Sequence, residues 1–215
     1  MTRGTAVVLA TRNPHKVAEI AAMLEGLPVD VLSSADFPSL PDVVEDGDTL
    51  EANAIKKARE VADATRLPAL ADDTGLEVDA LGGAPGVYSA RYAGPEGDYA
   101  RNNEKLLTEL AGLPAAQRTA RFRCVVALAL PSGETRVVEG RTEGVIIEAP
   151  RGDGGFGYDP LFLPAGRERT YAEMAPAEKN AESHRGKAVS AAVGLIRELL
   201  LSGDSGPDRN GAGRS

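Results

Sequence analysis

Residues 5–24 read T-A-V-V-L-A-T-R-N-P-H-K-V-A-E-I-A-A-M-L and pass from an apolar run directly into an amphipathic one. The apolar run over residues 5–10 predicts a buried strand. Asn13 is a favoured helix N-cap, and Pro14 takes the first helical position, where proline is well tolerated. A helix to about Leu24 should therefore follow. This strand–helix unit indicates an α/β fold.

The rest of the chain alternates between helices and strands at first, and then forms a hairpin. We predict strands over residues 29–32, 67–71, 119–130 and 136–147, and helices over residues 48–65, 98–110, 176–183 and 186–201. Asp48-Thr49-Leu50-Glu51 resembles a capping box at the start of the second helix. Parallel units followed by a hairpin predict a mixed sheet. Residues 202–215 should be a disordered tail.

Composition limits the classes of function. The 215 residues carry a formal net charge of −8, which disfavours a general nucleic-acid binder. No apolar run approaches the ~20 residues of a membrane span, and we see no secretory signal. The single Cys124 fits a reducing compartment. An anionic small molecule would need local cations, a metal ion or both.

Asp72 and Asp73 follow the apolar run of residues 67–71 and precede Thr74-Gly75. Open α/β sheets bind ligands at such strand ends, and carboxylates are the hard ligands that magnesium prefers. In a regular strand the two side chains would point to opposite faces, so both can serve one site only if the strand ends there. Thr74-Gly75 suggests that it ends. A simple turn is an equally good interpretation of Asp-Asp-Thr-Gly.

Two other segments carry cations that suit a phosphate. The turn before the first helix presents unpaired N–H groups together with Thr11, Asn13 and Lys16, although on this segment alone a capped surface helix is the favoured interpretation. On the second helix, Asn53 and Lys57 lie four residues apart and share a face. Lys57 could reach a cleft beside the sheet, but a solvated lysine is the commoner case. No P-loop, zinc cluster or serine-hydrolase elbow is present in the sequence.

The glycine-rich stretch at residues 152–160, G-D-G-G-F-G-Y-D-P, holds two of the chain's nine phenylalanines and tyrosines. Aromatic side chains on such a loop make poor core and plausible surfaces for base stacking. Further on, Ser183-His184-Arg185-Gly186 offers donors toward carbonyl or phosphate oxygens. A lone histidine is nevertheless more often structural than functional.

In this order the motifs resemble those of the inosine triphosphate pyrophosphatases, also called dITP/XTP or non-canonical purine nucleoside triphosphate pyrophosphatases. The resemblance spans about residues 6–200. The matching blocks lie at residues 11–16, 45–49, 53–58, 71–76, 83–92, 155–160 and 183–186. It implies a single α/β domain over residues 1–201, two-lobed, with a long mixed sheet flanked by helices. It also implies a cytoplasmic homodimer that needs Mg²⁺ and binds neither nucleic acid nor a membrane.

The resemblance also implies roles for individual residues. Asp73 is the expected proton acceptor, Lys57 assists catalysis by neutralising phosphate, and Asp73, Glu45 and Asp72 are the expected magnesium ligands. The expected substrate-binding residues are Thr11, Arg12, Asn13, Pro14, His15, Lys16, Asn53, Thr74, Phe156, Gly157, Tyr158, Asp159, Lys179, His184 and Arg185. The reaction implied is hydrolysis of ITP, dITP or XTP to the monophosphate and pyrophosphate.

Two positions depart from the family pattern, and three other functions compete. Thr74 stands where the family usually has serine, and Arg12 where it often has glycine. We expect the Thr74 hydroxyl to keep its binding role and the Arg12 side chain to change the mouth of the cleft.

The competing functions are a Maf-like pyrophosphatase with another base preference, a non-catalytic nucleotide-binding regulator, and a structural α/β domain.

Overall fold

The first strand and helix form where the sequence predicts them. In the computed structural model, which describes residues 5–95 and 97–202, strand β1 spans Thr5–Leu9 and helix α1 spans Pro14–Leu24. The side chain of Asn13 caps α1 by accepting hydrogen bonds from the next two free N–H groups. Strand β2, Val29–Ser33, pairs parallel with β1 and completes a β–α–β unit.

The other predicted elements are present with small shifts of their ends. The remaining helices are α2 (Leu50–Thr65), α3 (Tyr99–Glu109), α4 (Pro176–Glu182) and α5 (His184–Ile196). The remaining strands are β3 (Ala69–Val78), β4 (Pro85–Gly86), β5 (Thr119–Ala129), β6 (Thr135–Ile146) and β7 (Phe162–Pro164). Helix α5 continues into a π-helical turn over Arg197–Leu201.

These strands form one mixed sheet in the order β2-β1-β3-β5-β6-β7, with β4 paired to β3. The β2, β1 and β3 pairings are parallel, whereas β3, β5, β6 and β7 pair antiparallel. The prediction of a mixed sheet flanked by helices is therefore confirmed. Strands β3, β5 and β6 are the longest of the described strands, with 10, 11 and 12 residues.

Side-chain alternation on β3 and β5 separates three apolar clusters. One face packs alanines and valines against α2, and the opposite face packs Leu70, Val126 and Leu128 against α1 and α5. A third cluster, which includes Phe122, Phe162 and Tyr171, covers only one face of the far end of the sheet. The other face of that end carries charged residues such as Arg121 and Arg123. The fold thus has two lobes that share one sheet.

The prediction that the third strand ends at Asp72-Asp73 is wrong. Strand β3 continues to Val78 and keeps its antiparallel register with β5, with Asp73 opposite Val125. Strand β4 pairs antiparallel with β3 next to Gly75 and leaves no room for a side chain there. A Cβ at Gly75 would lie 2.6 Å from the carbonyl oxygen of Gly86. The glycine that looked like a turn signal instead permits close backbone contact within the sheet.

Two helix starts also differ from the prediction. The N-cap of α2 is Thr49 rather than Asp48, because the Thr49 hydroxyl accepts a hydrogen bond from the Ala52 N–H at 3.0 Å. Helix α5 begins at His184 rather than at residue 186, with Ser183 as its N-cap. His184 and Arg185 therefore lie in the first turn of a helix, which fixes their directions.

Within residues 5–95 and 97–202, none of the helices has the length and apolar character that a membrane span requires. The predicted tail, apart from Ser202, falls outside the described residues.

Candidate active site

A cavity of about 370 Å³ lies between the two lobes, beside the middle of β3. Most of the residues that the sequence singled out contribute to its lining: Thr11, Arg12, Asn13, Lys16, Glu45, Lys57, Asp73, Thr74, Phe156, Gly157, Tyr158, Asp159, Lys179, His184 and Arg185. These residues come from seven separate segments of the chain. The fold therefore brings the candidate residues to one place.

Four predicted site residues do not line this cavity: Pro14, His15, Asn53 and Asp72. Pro14 starts α1, and the His15 ring stacks on Phe156 with ring centroids 5.3 Å apart. Asn53 and Asp72 are buried beneath the lining. Their positions favour supporting roles over direct substrate contact.

The β1–α1 turn presents the N-terminus of α1 to the cavity. The carboxamide oxygen of Asn13 is used by the helix, since it accepts from the N–H groups of His15 and Lys16 at 3.0 and 3.4 Å. Its nitrogen donates to the Tyr99 hydroxyl at 3.2 Å. The positive end of the α1 dipole and the Lys16 ammonium in the first turn make this end of the cavity suitable for an anion such as phosphate.

Asp73 and Lys57 form a buried polar group on the α2 side of the sheet. The Lys57 ammonium donates to Glu45 at 2.6 Å, to the carbonyl oxygen of Asp72 at 2.7 Å and to Asp73 at 3.3 Å. Burial lowers the pKa of Lys57, but attraction to Asp73 and Glu45 outweighs burial and raises that pKa above its ordinary value. Lys57 is therefore a permanent cation at neutral pH.

The carboxylate of Asp73 is held from both sides. Asn53 donates its amide N–H to Asp73 at 3.1 Å and accepts the Gly47 N–H at 2.8 Å, which fixes the direction of the amide. Burial raises the pKa of Asp73; Lys57 opposes this rise and Glu45 adds to it. A carboxylate with a raised pKa is a better proton acceptor than a free one, which suits a general base.

Asp72 points to the opposite face of β3, as strand alternation requires. Its carboxylate lies 3.0 Å from the Lys16 ammonium and 3.1 Å from the Arg185 guanidinium, and it accepts the Thr74 hydroxyl at 3.2 Å. Burial raises the pKa of Asp72, but Lys16, Arg185 and Lys57 outweigh burial and hold the pKa well below its usual range. Asp72 is thus an ionised counter-ion beneath the site.

An ionic network that the sequence reasoning missed joins the lobes through Glu19 of α1. Glu19 lies 2.7 Å from the Lys179 ammonium and 2.6 Å from the Arg185 guanidinium, and Lys179 also contacts Asp159 at 2.6 Å. Glu19 follows Lys16 by three residues and so shares its helix face, which is the one local signal for it. Lys179 and Arg185, two of the cations that line the cavity, are therefore already paired with carboxylates.

His184 and Tyr158 lie deeper than a surface-binding role requires. His184 is buried and stacks on Phe122 with centroids 4.4 Å apart. Burial lowers the pKa of His184 well below its ordinary value, and repulsion from Arg185 and Lys179 lowers it further, so the ring is neutral. Tyr158 belongs to the third apolar cluster and donates its hydroxyl to the Ser89 carbonyl at 2.9 Å. Phe156 alone keeps the expected character of an aromatic surface on the cavity.

Further lining residues escaped the sequence analysis, including Asp42, Ser89, Tyr99 and Phe122. Phe122 was assigned to a strand face, but nothing in its neighbours indicates that this position borders a cavity. Tyr99 follows the N-cap Asp98, and its approach to Asn13 depends on how the two lobes meet. Local sequence carries no signal for such contacts.

The three predicted magnesium ligands do not form one set. Among the residues the structure describes, no three His, Cys, Asp or Glu side chains are grouped in a way that could hold a metal ion. Glu45 and Asp73 flank Lys57 on one face of β3, whereas Asp72 is paired with Lys16 and Arg185 on the other. Two carboxylates still fit magnesium, which often takes one or two from protein and completes its shell with water and phosphate.

The family model described as "Ham1 family" matches residues 7–194. A protein from Geobacter sulfurreducens, named dITP/XTP pyrophosphatase, is 55% identical over 186 residues, covering 86% of this chain and 94% of the relative. One of the same name from Streptomyces coelicolor is 52% identical over 198 residues, covering 91% and 99%.

Solved structures agree in fold. A HAM1 protein from Coxiella burnetii is 43% identical with a TM-score of 0.82, covering 91% of this chain and all of the other. A nucleoside-triphosphatase, or dITP/XTP pyrophosphatase, from Mycobacterium abscessus is 47% identical with a TM-score of 0.71, covering 88% and 99%.

Proposed function

Because the chain belongs to the Ham1 family, we propose that it hydrolyses dITP, ITP and XTP to the nucleoside monophosphate and pyrophosphate, so removing deaminated purines from the nucleotide pool. The observation that carries this proposal is the meeting of the α1 N-terminus, Asp73 and Lys57 in one cavity between the lobes. Phosphate binding and proton acceptance can thus occur side by side.

The charge of the cavity supports a requirement for magnesium. Four cations, Lys16, Lys57, Lys179 and Arg185, are each paired with at least one of the five carboxylates Glu19, Glu45, Asp72, Asp73 and Asp159. No net positive charge is left for a triphosphate, which carries about four negative charges. Glu45 and Asp73 would hold Mg²⁺, which supplies charge neutralisation and lowers the pKa of a bound water.

In the proposed reaction, Asp73 orients the attacking water and accepts its proton. Lys57 keeps the Asp73 carboxylate in place from one side, and Asn53 does so from the other. The positive end of the α1 dipole and the Lys16 ammonium attract the phosphates, and pyrophosphate leaves from this end of the cavity. Asp72, which points to the opposite face of β3 from Asp73, neutralises Lys16 and Arg185.

We assign selection of the purine base to His184 and Phe156, which both line the cavity. His184 is neutral and borders the cavity, so its imidazole can donate to the 6-oxo group of hypoxanthine or xanthine. Adenine presents an amino group at that position, and a mismatched buried donor is costly. Phe156 supplies the aromatic surface for the base. Arg185 pairs with Asp72 and Glu19, so we assign it to positioning these carboxylates and not to contact with the base.

The test is pyrophosphate release from dITP, XTP, dUTP and dATP, with magnesium and after chelation. We expect turnover of dITP and XTP at least ~100-fold faster than that of dATP, the size of discrimination a hydrogen-bonding site can supply. Turnover should stop on chelation and return with Mg²⁺. Preference for dUTP would favour the Maf-like alternative, and binding without release would favour a regulator.

We also propose a cytoplasmic homodimer, as the resemblance to the family implies and in line with a nucleotide-pool function. Light scattering at micromolar concentration tests the dimer: a mass near 45 kDa, about twice the 22.4 kDa of the chain, is expected.

A further inference from the structure

An ion pair crosses the mouth of the cavity. The Arg12 guanidinium, in the β1–α1 turn, donates to the Asp42 carboxylate at 2.8 Å and to the Leu40 carbonyl at 2.5 Å. Asp42 belongs to the acidic loop, residues 41–47, which leads into α2 and carries Glu45. Both Arg12 and Asp42 line the cavity. The pair thus connects the expected phosphate-binding turn to the loop opposite.

The two partners differ in how much water reaches them. The Asp42 side chain is 87% accessible, whereas that of Arg12 is 38% accessible. Because Asp42 is hydrated already, it loses little when the pair breaks. Arg12 keeps a planar guanidinium at the cavity edge that suits a phosphate, which offers more charge and more acceptor oxygens than a carboxylate.

We propose that Asp42 is a competing counter-ion: it occupies Arg12 in the free protein and yields it to the terminal phosphate of the nucleotide. Asp42 thereby weakens nucleotide binding and leaves the acidic loop tied to the turn until substrate arrives. This inference rests on the proposed function, since it takes the β1–α1 turn as the place where the triphosphate binds.

The expected size of the effect is modest. An exposed ion pair changes an equilibrium constant by a factor of about 1.5 to 5. Asp42→Asn should therefore lower the KM for dITP by about two- to five-fold, because Arg12 no longer has to leave a carboxylate. Arg12→Gly should raise that KM on the order of ten-fold, because a charge-assisted bond to phosphate is lost.

Removing any acidic charge near the cavity would also favour an anionic substrate, so a matched control is needed. Asp46 lies on the same loop and pairs with Lys56 at 2.6 Å, but it does not line the cavity. Asp46→Asn removes the same charge from the same loop and leaves the Arg12–Asp42 pair in place. Placing Asp42→Asn in an Arg12→Gly background then isolates the part of the effect that passes through Arg12.

The experiment measures the KM for dITP in the four combinations at residues 12 and 42, and in Asp46→Asn. The Kd of inorganic tripolyphosphate is measured by calorimetry on the same proteins. A two- to five-fold decrease with Asp42→Asn, absent with Asp46→Asn and lost in the Arg12→Gly background, supports the proposal. An unchanged or higher KM, or a decrease that persists without Arg12, overturns it.

Failure of the proposed function would look different. If the wild-type protein did not hydrolyse dITP or XTP, the proposed reaction would be refuted while the tripolyphosphate titrations still tested the competition between Asp42 and phosphate for Arg12. Tighter tripolyphosphate binding by Asp42→Asn alone supports the inference, and equal binding by Asp42→Asn and wild type overturns it.

Discussion

Asp72 and Asp73 are neighbours in sequence but lie on opposite faces of β3 with different partners. Asp73 borders the cavity together with Lys57 and Glu45, whereas Asp72 is buried against Lys16 and Arg185. Burial acts on both carboxyl groups, yet the nearby cations reverse its effect only at Asp72. One residue is thus suited to proton acceptance and the other to holding cations in place.

Asp73→Asn should lower kcat for dITP by about 10²- to 10⁴-fold, the usual contribution of a general base. The amide is nearly isosteric, so the folded structure should persist, and circular dichroism with a thermal melt checks this. Steady-state kinetics provide the measurement. Activity within a few-fold of wild type would refute the assignment of Asp73.

Asp72→Asn should act mainly on stability. It leaves Arg185 and Lys16 without one buried partner, which costs about 3 kcal/mol in the free energy of unfolding. Because the folded pKa of Asp72 lies below its unfolded value, the stabilisation is present above about pH 4 and disappears as the pH falls through the acid range. Urea unfolding of both proteins at pH 7 measures the difference; equal midpoints would contradict this role.

The buried His184 should also make stability depend on pH, because its ring stays neutral in the folded protein. Its folded pKa is well below 6.5, so under acid conditions the unfolded chain binds a proton that the folded chain does not. The free energy of unfolding should therefore fall as the pH drops below about 6.5, by up to about 1.4 kcal/mol per pH unit. Urea unfolding between pH 7.5 and 5 measures this slope.

One substitution assigns that slope. His184→Gln should flatten it, because glutamine does not titrate in this pH range. If the slope were the same in wild type and His184→Gln, the burial of a neutral His184 would be contradicted.

At the scale of elements, local signals predicted most of the helices and strands, because caps, turns and side-chain periodicity act within a few residues. Asn13-Pro14 marks the start of α1, and the turn after Leu130 marks the β5–β6 hairpin. Strand β3 was wrongly ended because the cause of Gly75 lies in β4, whose carbonyl approaches it. Contacts between distant segments have no local signature.

The same limit applies to the candidate site. The cationic residues were identified from sequence, but their pairing with carboxylates was not: Glu19 and Arg185, for example, are 166 positions apart in the chain. The sequence therefore placed Lys179 and Arg185 among the substrate-binding residues without their carboxylate partners. Their pairing is what makes an added cation necessary in the proposed reaction.

The junction of α4 and α5 orients Lys179, His184 and Arg185, and it depends on Gly186. A Cβ at Gly186 would lie 1.8 Å from the carbonyl oxygen of Asn180, so Gly186→Ala forces the two helices apart. We expect a loss of about 2–3 kcal/mol in unfolding free energy, as for other overpacked sites, together with reduced activity.

Gly194 on the same helix is the matched control, since a Cβ there meets no atom within 4 Å. Gly194→Ala should stabilise the protein by about 0.5–1 kcal/mol through helix propensity. Thermal melts of both variants measure these changes in stability. If Gly186→Ala left the melting temperature unchanged, the α4–α5 junction would not be tightly packed.

At the scale of the whole molecule, the shared sheet is what creates the site. Strand β3 carries Asp73 and Thr74 near its middle, between the first lobe with α1 and α2 and the second lobe with the glycine-rich loop. In the proposed reaction both lobes therefore contribute to nucleotide binding, the first through the α1 N-terminus and the second through Phe156, whose ring stacks on His15 of α1.

Hydrolysis of non-canonical purine triphosphates in this cavity should give the nucleoside monophosphate and pyrophosphate. The most direct measurement is product analysis by phosphorus NMR during turnover of dITP and dATP with Mg²⁺. We expect equal amounts of dIMP and pyrophosphate from dITP, and hydrolysis of dATP at no more than about 1% of the rate for dITP. Release of inorganic phosphate with dIDP, or equal rates for the two nucleotides, would contradict it.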